Sequence, residues 1–249
     1  MKGSALIRLL LLVLLVAFLL TPQSFRPVFQ PFAANGAPAI YTQSSLLALT
    51  LSHLAMVGVA TLAAAIVSIG LAVLVTRPAG REFLPLSRSI ANIGQTFPPV
   101  AVLALAVPVF GFGPIPTLIA LFLYGLLPIF ENTLTGLTTV PHSVQEAARG
   151  VGMTDTQRLI SVELPLALPI ILAGIRLTAV ISLGTATIGS TVAAKTLGEV
   201  IIAGLISNNT AFVLQGGLVV ALLALFIHQG FTSLEARIGR QAGAMQPAQ

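Results

Sequence analysis

Residues 146–165 read EAARGVGMTDTQRLISVELP and form a polar stretch inside an otherwise apolar chain. Two four-residue patterns in and just before it have the form of a capping box, which starts a helix: Ser143–Glu146 and Thr154–Gln157. Gly150 and Gly152 stand between these two starts, and Pro165 is expected to end the second helix. The sequence therefore predicts two short helices joined by a glycine hinge.

The composition around this stretch excludes a soluble protein. Hydrophobic residues make up 56% of the 249 positions and charged residues 8%, with a mean hydropathy of +0.99. A soluble domain carries roughly 25% charged residues, so this chain lacks the surface that water requires. We expect an all-α, polytopic membrane protein.

Apolar runs divide the chain into about six predicted transmembrane helices, each near the length of roughly 20 residues that a span needs. They cover residues 4–20, 45–76, 89–110, 116–138, 166–192 and 212–232. The first run also has the charged start of a signal peptide, but no small-x-small cleavage site follows, which favours an uncleaved helix. The domain prediction is a first helix with an extracytoplasmic loop (1–44), a transmembrane domain (45–232) with a loop at 141–165, and a tail (233–249).

The placement of basic residues predicts the orientation of these spans. With the N-terminus inside, nine of the 12 Lys and Arg residues fall on the cytoplasmic side, two fall outside and Arg176 lies within a span. The nine are Lys2, Arg8, Arg77, Arg81, Arg88, Arg149, Arg158, Arg237 and Arg240, against Arg26 and Lys195. Basic residues favour cytoplasmic loops, so both termini and residues 141–165 are expected in the cytoplasm. A net charge of +5 therefore reports orientation and indicates no nucleic-acid partner.

Several chemistries lack the residues that they need. Cysteine is absent, which excludes disulfides, thiolate metal sites and cysteine nucleophiles. His53, His142 and His228 have no metal-ligand spacing, so no metal is expected. No Walker motif occurs, so the chain is not expected to hydrolyse ATP itself.

The loop carries a longer pattern with fixed spacing. Glu146-Ala147-Ala148 is followed by Gly152 and then by Val162-Glu163-Leu164-Pro165. This pattern resembles the EAA motif of bacterial ABC importer permeases, with Val162 in place of isoleucine, a change of one methylene that packing tolerates.

The resemblance implies a type I ABC importer transmembrane domain in the bacterial inner membrane. The loop would couple to an ATPase subunit through Glu146, Ala147, Ala148, Gly152, Leu164 and Pro165. ATP and Mg would be bound by that partner, and no cofactor by this chain. A second permease copy or a sister permease, an extracytoplasmic substrate-binding protein and the lipid bilayer complete the implied partners.

Further stretches resemble osmoprotectant permeases, which carry glycine betaine, choline, carnitine or related quaternary amines. They include QTFPPVAVLALAVPVFGFG (95–113) and GTATIGSTV (184–192). The alternatives are another small-solute importer (amino acid or sulfonate) and a secondary transporter, whose expected inverted repeat is not found. Scattered histidines and the lack of cysteine argue against a membrane enzyme.

Two predictions concern the spans themselves. Small and hydroxyl residues recur on one face of the fifth span, either lining a translocation path or allowing close helix packing: Gly174, Thr178, Ser182, Thr185 and Gly189. Arg176 lies in the same span and needs a partner, because a central Arg costs about 2.5–3.5 kcal/mol to insert. Glu131 is the predicted partner, with snorkelling of Arg176 as the alternative.

Overall fold

The computed structural model describes residues 2–33 and 36–243, with side chains described for 6–33 and 36–240. The described chain is helical throughout, without strands, as predicted. The α-helices are α1 (Lys2–Leu20), α2 (Arg26–Phe29), α3 (Leu46–Thr76), α4 (Leu84–Thr96), α5 (Pro99–Phe110), α6 (Pro114–Thr138), α7 (His142–Gly150), α8 (Asp155–Arg158), α9 (Leu164–Thr185), α10 (Gly198–Ile206) and α11 (Thr210–Gly243). Short 3₁₀ turns cover Pro22–Phe25, Gln30–Phe32, Pro78–Phe83 and Ala186–Val192, and a π turn covers Leu159–Glu163.

Within the described residues, four helical stretches are long and apolar enough to cross a membrane, or up to six if each of two bent helix pairs is counted as one span. The four are Leu46–Thr76, Pro114–Thr138, Asp155–Val192 and Thr210–Arg240. Large apolar side chains such as Leu62, Ile66 and Leu105 are exposed on the protein surface. Exposure of this kind suits contact with lipid, where no aqueous coat is needed.

The predicted span at 89–110 is broken in the structure. Helix α4 ends at Thr96, Phe97 is extended with ψ 135°, and α5 starts at Pro99. Two consecutive prolines explain the break, because each lacks a backbone N–H and each restricts the residue before it to an extended conformation. The sequence prediction of one continuous helix there is wrong.

The segments outside the long helices are more helical than predicted. The expected loop at 21–44 begins with short helical turns through Phe32, and Tyr41 is buried. The expected loop after the fifth span contains α10. Helix α11 continues without a break past residue 232 to Gly243, through the segment predicted as a tail.

The chain forms two compact units. Unit 1 comprises the residues up to Val59, Pro99–Leu121 and Ser182–Phe226; unit 2 comprises Ala60–Pro98, Phe122–Ile181 and the residues from Ile227 onward. In unit 2, alanines from α3 pack with Ile129 and Phe130 of α6 into a buried core. Small side chains on one helix allow a bulky partner to approach closely.

Candidate functional site

The polar loop is built as predicted in outline, but its first helix starts differently. Helix α7 begins at His142 with Pro141 as its N-cap, and no side chain caps it. The predicted Ser143–Glu146 capping box is therefore wrong. Glu146 instead lies 3.5 Å from Nδ1 of His142, one turn away, and both side chains are exposed. Proline has no side-chain oxygen to accept from the N–H groups of the first turn, which accounts for a start without a side-chain cap.

Of the two glycines in the predicted hinge, only Gly152 turns the chain, whereas Gly150 is the last residue of α7. Gly152 has φ +82°, in the left-handed region where a side chain is strained. Its N–H donates to the Arg149 carbonyl at 2.9 Å, and the next N–H, of Met153, donates to the Ala148 carbonyl at 3.1 Å. These bonds have the pattern of a Schellman ending, which turns the chain sharply after a helix.

The second capping box is also confirmed. The Gln157 N–H donates to Thr154 Oγ1 at 3.3 Å, and the Thr154 N–H donates to Gln157 Oε1 at 2.9 Å. Two otherwise unpaired donors at the start of α8 are satisfied in this way.

The second helix does not end where the sequence predicts. A π turn at Leu159–Glu163 joins α8 to α9, so that the helix runs on from Asp155 to Val192. Pro165 directly follows the π turn inside this continuous helix, and local π geometry is one way in which a membrane helix accommodates a residue without an N–H. Proline is therefore tolerated here, and the predicted stop at Pro165 is wrong.

The predicted coupling residues differ in accessibility. Glu146, Ala147 and Gly152 are exposed, whereas Ala148 is buried within the chain. Leu164 packs against a small cluster of Leu137, Ala167 and Ile171, and Pro165 is half-buried. The exposed surface of the EAA segment is thus formed by Glu146 and Ala147.

A buried ion-pair network fixes the start of the long helix. The Glu163 carboxylate accepts from the Arg158 Nε at 2.8 Å and from Arg77 Nη2 through its other oxygen. Arg158 also lies 2.9 Å from Asp155. The Glu163 and Arg158 side chains are only 4% and 7% exposed, so each charge depends on the others for solvation.

The network joins distant parts of the sequence and lies beside a cavity. Arg77 directly follows α3, so Glu163 links the loop to the end of that helix within unit 2. A cavity of about 450 Å³ adjoins it, lined in part by four arginines: Arg77, Arg81, Arg149 and Arg158. In the sequence these arginines served only to predict orientation, and the network that they form with Glu163 was not predicted.

The predicted Glu131–Arg176 pair is wrong. Glu131 accepts two hydrogen bonds from Arg88, at 2.6 and 3.0 Å. Arg176 pairs instead with Glu235 of α11 at 3.0 Å and donates to Thr232 at 3.2 Å. The actual partners lie outside the predicted spans: Arg88 between two of them and Glu235 in the predicted tail.

The small-residue face of the fifth span is engaged in packing. A Cβ on Gly174 would come within 2.8 Å of Asn132 Cβ, and one on Gly189 within 2.6 Å of Thr117. Thr178 is buried and donates to the Gly125 carbonyl at 3.4 Å. Ser182 is buried and Thr185 half-buried. The structure therefore provides the packing explanation for this face, and a path-lining role stays a prediction.

Unit 1 is held by neutral hydrogen bonds. Nδ1 of His53 accepts from the Leu197 N–H at 3.3 Å, so Nε2 carries the proton and donates to the Leu183 carbonyl at 3.0 Å. Gln215 accepts from the Tyr41 N–H at 3.1 Å and donates to the Ala39 carbonyl at 2.8 Å. Gln215 thus connects α11 to the segment before α3, and His53 connects α3 to Leu183 of α9 and to Leu197 at the start of α10.

A second cluster in unit 1 contains a carboxylate. Oε1 of Glu199, in the first turn of α10, accepts from the Tyr41 hydroxyl at 2.7 Å and from the Ser44 hydroxyl. Lys195, four residues before Glu199, is exposed and forms no ion pair with it. Over the residues that the structure describes, no group of His, Asp and Glu is arranged to hold a metal ion.

Helical spans and exposed apolar surfaces indicate an integral membrane protein. Residues 68–240 match the family described as the binding-protein-dependent transport system inner membrane component, and the chain belongs to that family. It is a permease subunit and a multi-pass membrane protein.

Curated relatives cover most of the chain. The osmoprotectant import permease protein OsmY of Salmonella typhimurium is 43% identical over 74% of this chain and 78% of its own length. The choline transport system permease protein OpuBB of Bacillus subtilis is 36% identical over 80% and 88%. The glycine betaine/carnitine/choline permease OpuCD of Bacillus subtilis is 41% identical over 70% and 75%.

Solved structures show the same fold. A chain of the MetNI methionine ABC transporter in an inward-facing conformation matches with a TM-score of 0.68, at 21% identity, over 79% of this chain and 99% of its own. A chain of an amino acid ABC transporter matches with a TM-score of 0.61, at 17% identity, over 90% and 98%. The all-α, type I ABC importer fold expected from the sequence is confirmed.

Proposed function

We propose that this permease forms the translocation path of an ATP-driven importer for a quaternary-amine osmoprotectant, such as glycine betaine, choline or carnitine. The observation that carries the substrate class is the set of relatives, at 36–43% identity, whose names specify these solutes. The runner-up substrates are amino acids or sulfonates. The amino acid transporters that share the fold are below 25% identity and support the fold alone.

The polar loop is the proposed contact with a separate ATPase. Glu146 and Ala147 present an exposed helical surface, and Gly152 sets the angle between α7 and α8. Because Glu163 ties this loop to Arg77, a displacement of the loop would pull on the end of α3 as well as on α9. Ala148 is buried behind this surface, and Leu164 packs against Leu137, Ala167 and Ile171, next to Pro165 at the start of α9.

The remaining parts of the proposal follow from the sequence. ATP and Mg would bind the partner ATPase, since this chain carries no Walker motif. The excess of basic residues at 9 positions against 2 supports cytoplasmic termini and a cytoplasmic loop in the inner membrane. A second copy of this chain, or a sister permease, would complete the path, with Gly174, Thr178, Ser182, Thr185 and Gly189 beside it. A separate extracytoplasmic binding protein would deliver the solute.

Reconstituted uptake tests this proposal. The permease is purified from its native host in mild detergent with the ATPase and binding protein that accompany it, and the complex is placed in proteoliposomes. Radiolabelled glycine betaine, choline, carnitine, methionine and taurine are then offered with and without ATP. We expect ATP-dependent accumulation of at least one quaternary amine and none of methionine or taurine.

Two results would contradict the proposal at different points. Uptake of the amino acid or the sulfonate alone would overturn the substrate class and leave the ATP-driven mechanism standing. A permease that purifies without any ATPase, and accumulates solute without ATP, would overturn the mechanism.

A further inference from the structure

Unit 1 contains a cavity of about 630 Å³, within the range of about 300–1,000 Å³ that is typical of small-molecule sites. Most of its walls are apolar, one lining side chain is acidic, and four are neutral and polar: Gln43, Ser190, Ser207 and Asn209. The lining residues that matter here are Pro38, Tyr41, Glu199, Ile202, Ala203 and Phe212.

The acidic side chain, Glu199, has no cationic partner in the described part of the chain. It is the one acidic residue in the sequence of unit 1, since the other six acidic residues belong to unit 2. The Tyr41 and Ser44 hydroxyls both donate to Oε1. Among the described residues, neither hydroxyl bonds the second oxygen, Oε2.

The hydroxyl that holds Glu199 is itself fixed in place. The Tyr41 backbone N–H donates to Gln215, and the Tyr41 ring packs edge-on against Phe212 with the ring centres 5.3 Å apart. Burial and the neighbouring Glu199 carboxylate raise the pKa of Tyr41 to about 12. Tyr41 therefore remains a hydrogen-bond donor at physiological pH, and the carboxylate is held in one position before any ligand arrives.

We infer that this cavity binds the quaternary ammonium group of a cationic solute, with Glu199 as its counter-ion. A quaternary ammonium carries its charge beneath methyl groups and has no N–H. Apolar walls can therefore contact its methyl groups, while one carboxylate balances its charge and no hydrogen-bond acceptor is left wanting a donor. A lysine or arginine head group would bring three or five N–H donors, which a mostly apolar lining with one carboxylate matches less well.

The same geometry predicts a preference among quaternary amines. Choline carries one positive charge, whereas glycine betaine adds a carboxylate that would lie near Glu199 and be repelled by it. We expect choline to bind the cavity more tightly than glycine betaine. The inference places a solute site on the permease itself, and it rests on the proposed function only for the choice of these probes.

Equilibrium binding to the purified full-length permease in lipid nanodiscs tests the inference, with tritiated choline as the probe and no ATPase or binding protein present. Unlabelled glycine betaine and 3,3-dimethyl-1-butanol serve as competitors; the latter has the shape of choline without its charge. We expect saturable choline binding, weaker competition by glycine betaine and almost none by the neutral alcohol.

Two variants locate the site. Glu199→Gln should weaken choline binding by roughly tenfold or more, because it removes the counter-ion in a partly buried setting. Glu82→Gln is the matched control, since it removes one exposed carboxylate from unit 2 and should bind choline as the wild type does. Ala203→Leu narrows the cavity without changing any charge. It should weaken binding even if Glu199→Gln fails to fold.

Each opposite result overturns the inference. Equal competition by the neutral alcohol, or unchanged binding in both Glu199→Gln and Ala203→Leu, would show that the carboxylate and cavity do not hold the solute. If choline does not bind and Glu199→Gln instead weakens docking of the substrate-binding protein, the cavity receives a basic side chain of that protein. If the complete transporter takes up choline but the permease alone does not bind it, this site is refuted and the proposed function stands. If the permease binds choline but the complete transporter does not take up any quaternary amine, the proposed function is refuted and the site stands.

Discussion

The two compact units of this permease use different chemistry to hold their polar groups. Every salt bridge among the described residues lies in unit 2, where Glu163 joins Arg77 and Arg158. Unit 1 relies on neutral side chains, chiefly His53, Gln215 and Asn209, which hydrogen-bond to backbone groups. The one acid in unit 1, Glu199, is held by hydroxyls.

The difference shows which interactions are exchangeable. A buried neutral amide satisfies particular backbone groups and has no substitute partner nearby. Charged groups act over longer distances and can change partners, above all where they are exposed. Unit 2, which contains the proposed coupling loop, therefore has the chemistry better suited to contacts that change during a transport cycle.

Neutralising Glu163 should have the largest effect. Glu163→Gln removes the buried counter-ion of Arg158 and leaves it only Asp155, whose side chain is 73% exposed. Breaking a buried pair in this way costs about 3–5 kcal/mol. We expect a lower melting temperature of the purified permease and loss of ATP-driven uptake. The measurements are thermal unfolding in detergent and uptake by the reconstituted complex.

Glu146→Gln is the matched control for the melting temperature, because it removes the same charge from a pair on the polar loop in which His142 and Glu146 are 77% and 65% exposed. A solvent-exposed pair contributes about 0–1 kcal/mol. Equal destabilisation by the two variants would show that burial does not govern the strength of the ion pairs in unit 2.

Gln215→Leu should come second and should act on unit 1. The change leaves the buried Tyr41 N–H and Ala39 carbonyl without partners, at about 1–3 kcal/mol for each unsatisfied group. We expect faster amide exchange at Tyr41 and its neighbours, measured by hydrogen–deuterium exchange mass spectrometry. Gln23→Leu, at an exposed position in a 3₁₀ turn, is the control and should leave exchange at residues 39–46 unchanged. Unchanged exchange in both would mean that Gln215 does not anchor this segment.

Gly152→Ala should have a smaller effect, on the hinge of unit 2. Its φ of +82° costs a non-glycine residue about 1–2 kcal/mol, although no atom obstructs the new methyl group. We expect reduced ATP-driven uptake with little change in melting temperature, because α7 would leave its docking angle. Gly150→Ala adds the same methyl group to an unobstructed helical position two residues earlier and should keep full uptake. Equal uptake by both variants would refute the need for a left-handed residue at 152.

The titration of Tyr41 should give the smallest effect and applies to unit 1. Burial and the Glu199 carboxylate raise the pKa of Tyr41 to about 12 from 10.0. The folded state thus holds the proton that the unfolded chain releases, so this contribution to stability is complete below pH 10 and is lost as the pH rises toward 12. The chain has no tryptophan and two tyrosines, so phenolate absorbance in Tyr124→Phe follows Tyr41 alone. A midpoint near 10 would place Tyr41 outside its hydrogen bond with Glu199.

Local patterns in the sequence predicted local structure well. The Thr154 capping box and the Gly152 hinge depend on residues within a few positions of one another, and both are confirmed. The long apolar helices followed from composition. The break at Phe97 was missed although Pro98 and Pro99 signal it, because the surrounding apolar run outweighed them.

Partners that are distant in sequence could not be predicted in this way. Glu131 and Arg176 were assigned to each other as the nearest available intramembrane charges, but Arg88 and Glu235 compete for them in the folded chain. Helix α10 was assigned to a loop, since Lys195, Asn208 and Asn209 flank its apolar residues. Asn209 is in fact buried and donates to the Pro38 carbonyl. Tertiary contacts determine such roles, and one sequence does not reveal them.

The π turn between α8 and α9 has a consequence for spacing. Arg158 and Glu163 are five residues apart, which in an α-helix of 3.6 residues per turn places them about 140° away from a common face. A π turn joins residues i and i+5 and so brings both side chains to one side, where they bond at 2.8 Å. Deleting one of the four residues between Arg158 and Glu163 would keep the helix continuous. The two side chains would then be four positions apart, the spacing of an ordinary α-helical turn. An arginine and a glutamate at this interval, just before Leu-Pro, therefore encode a widened helical turn rather than an ordinary one.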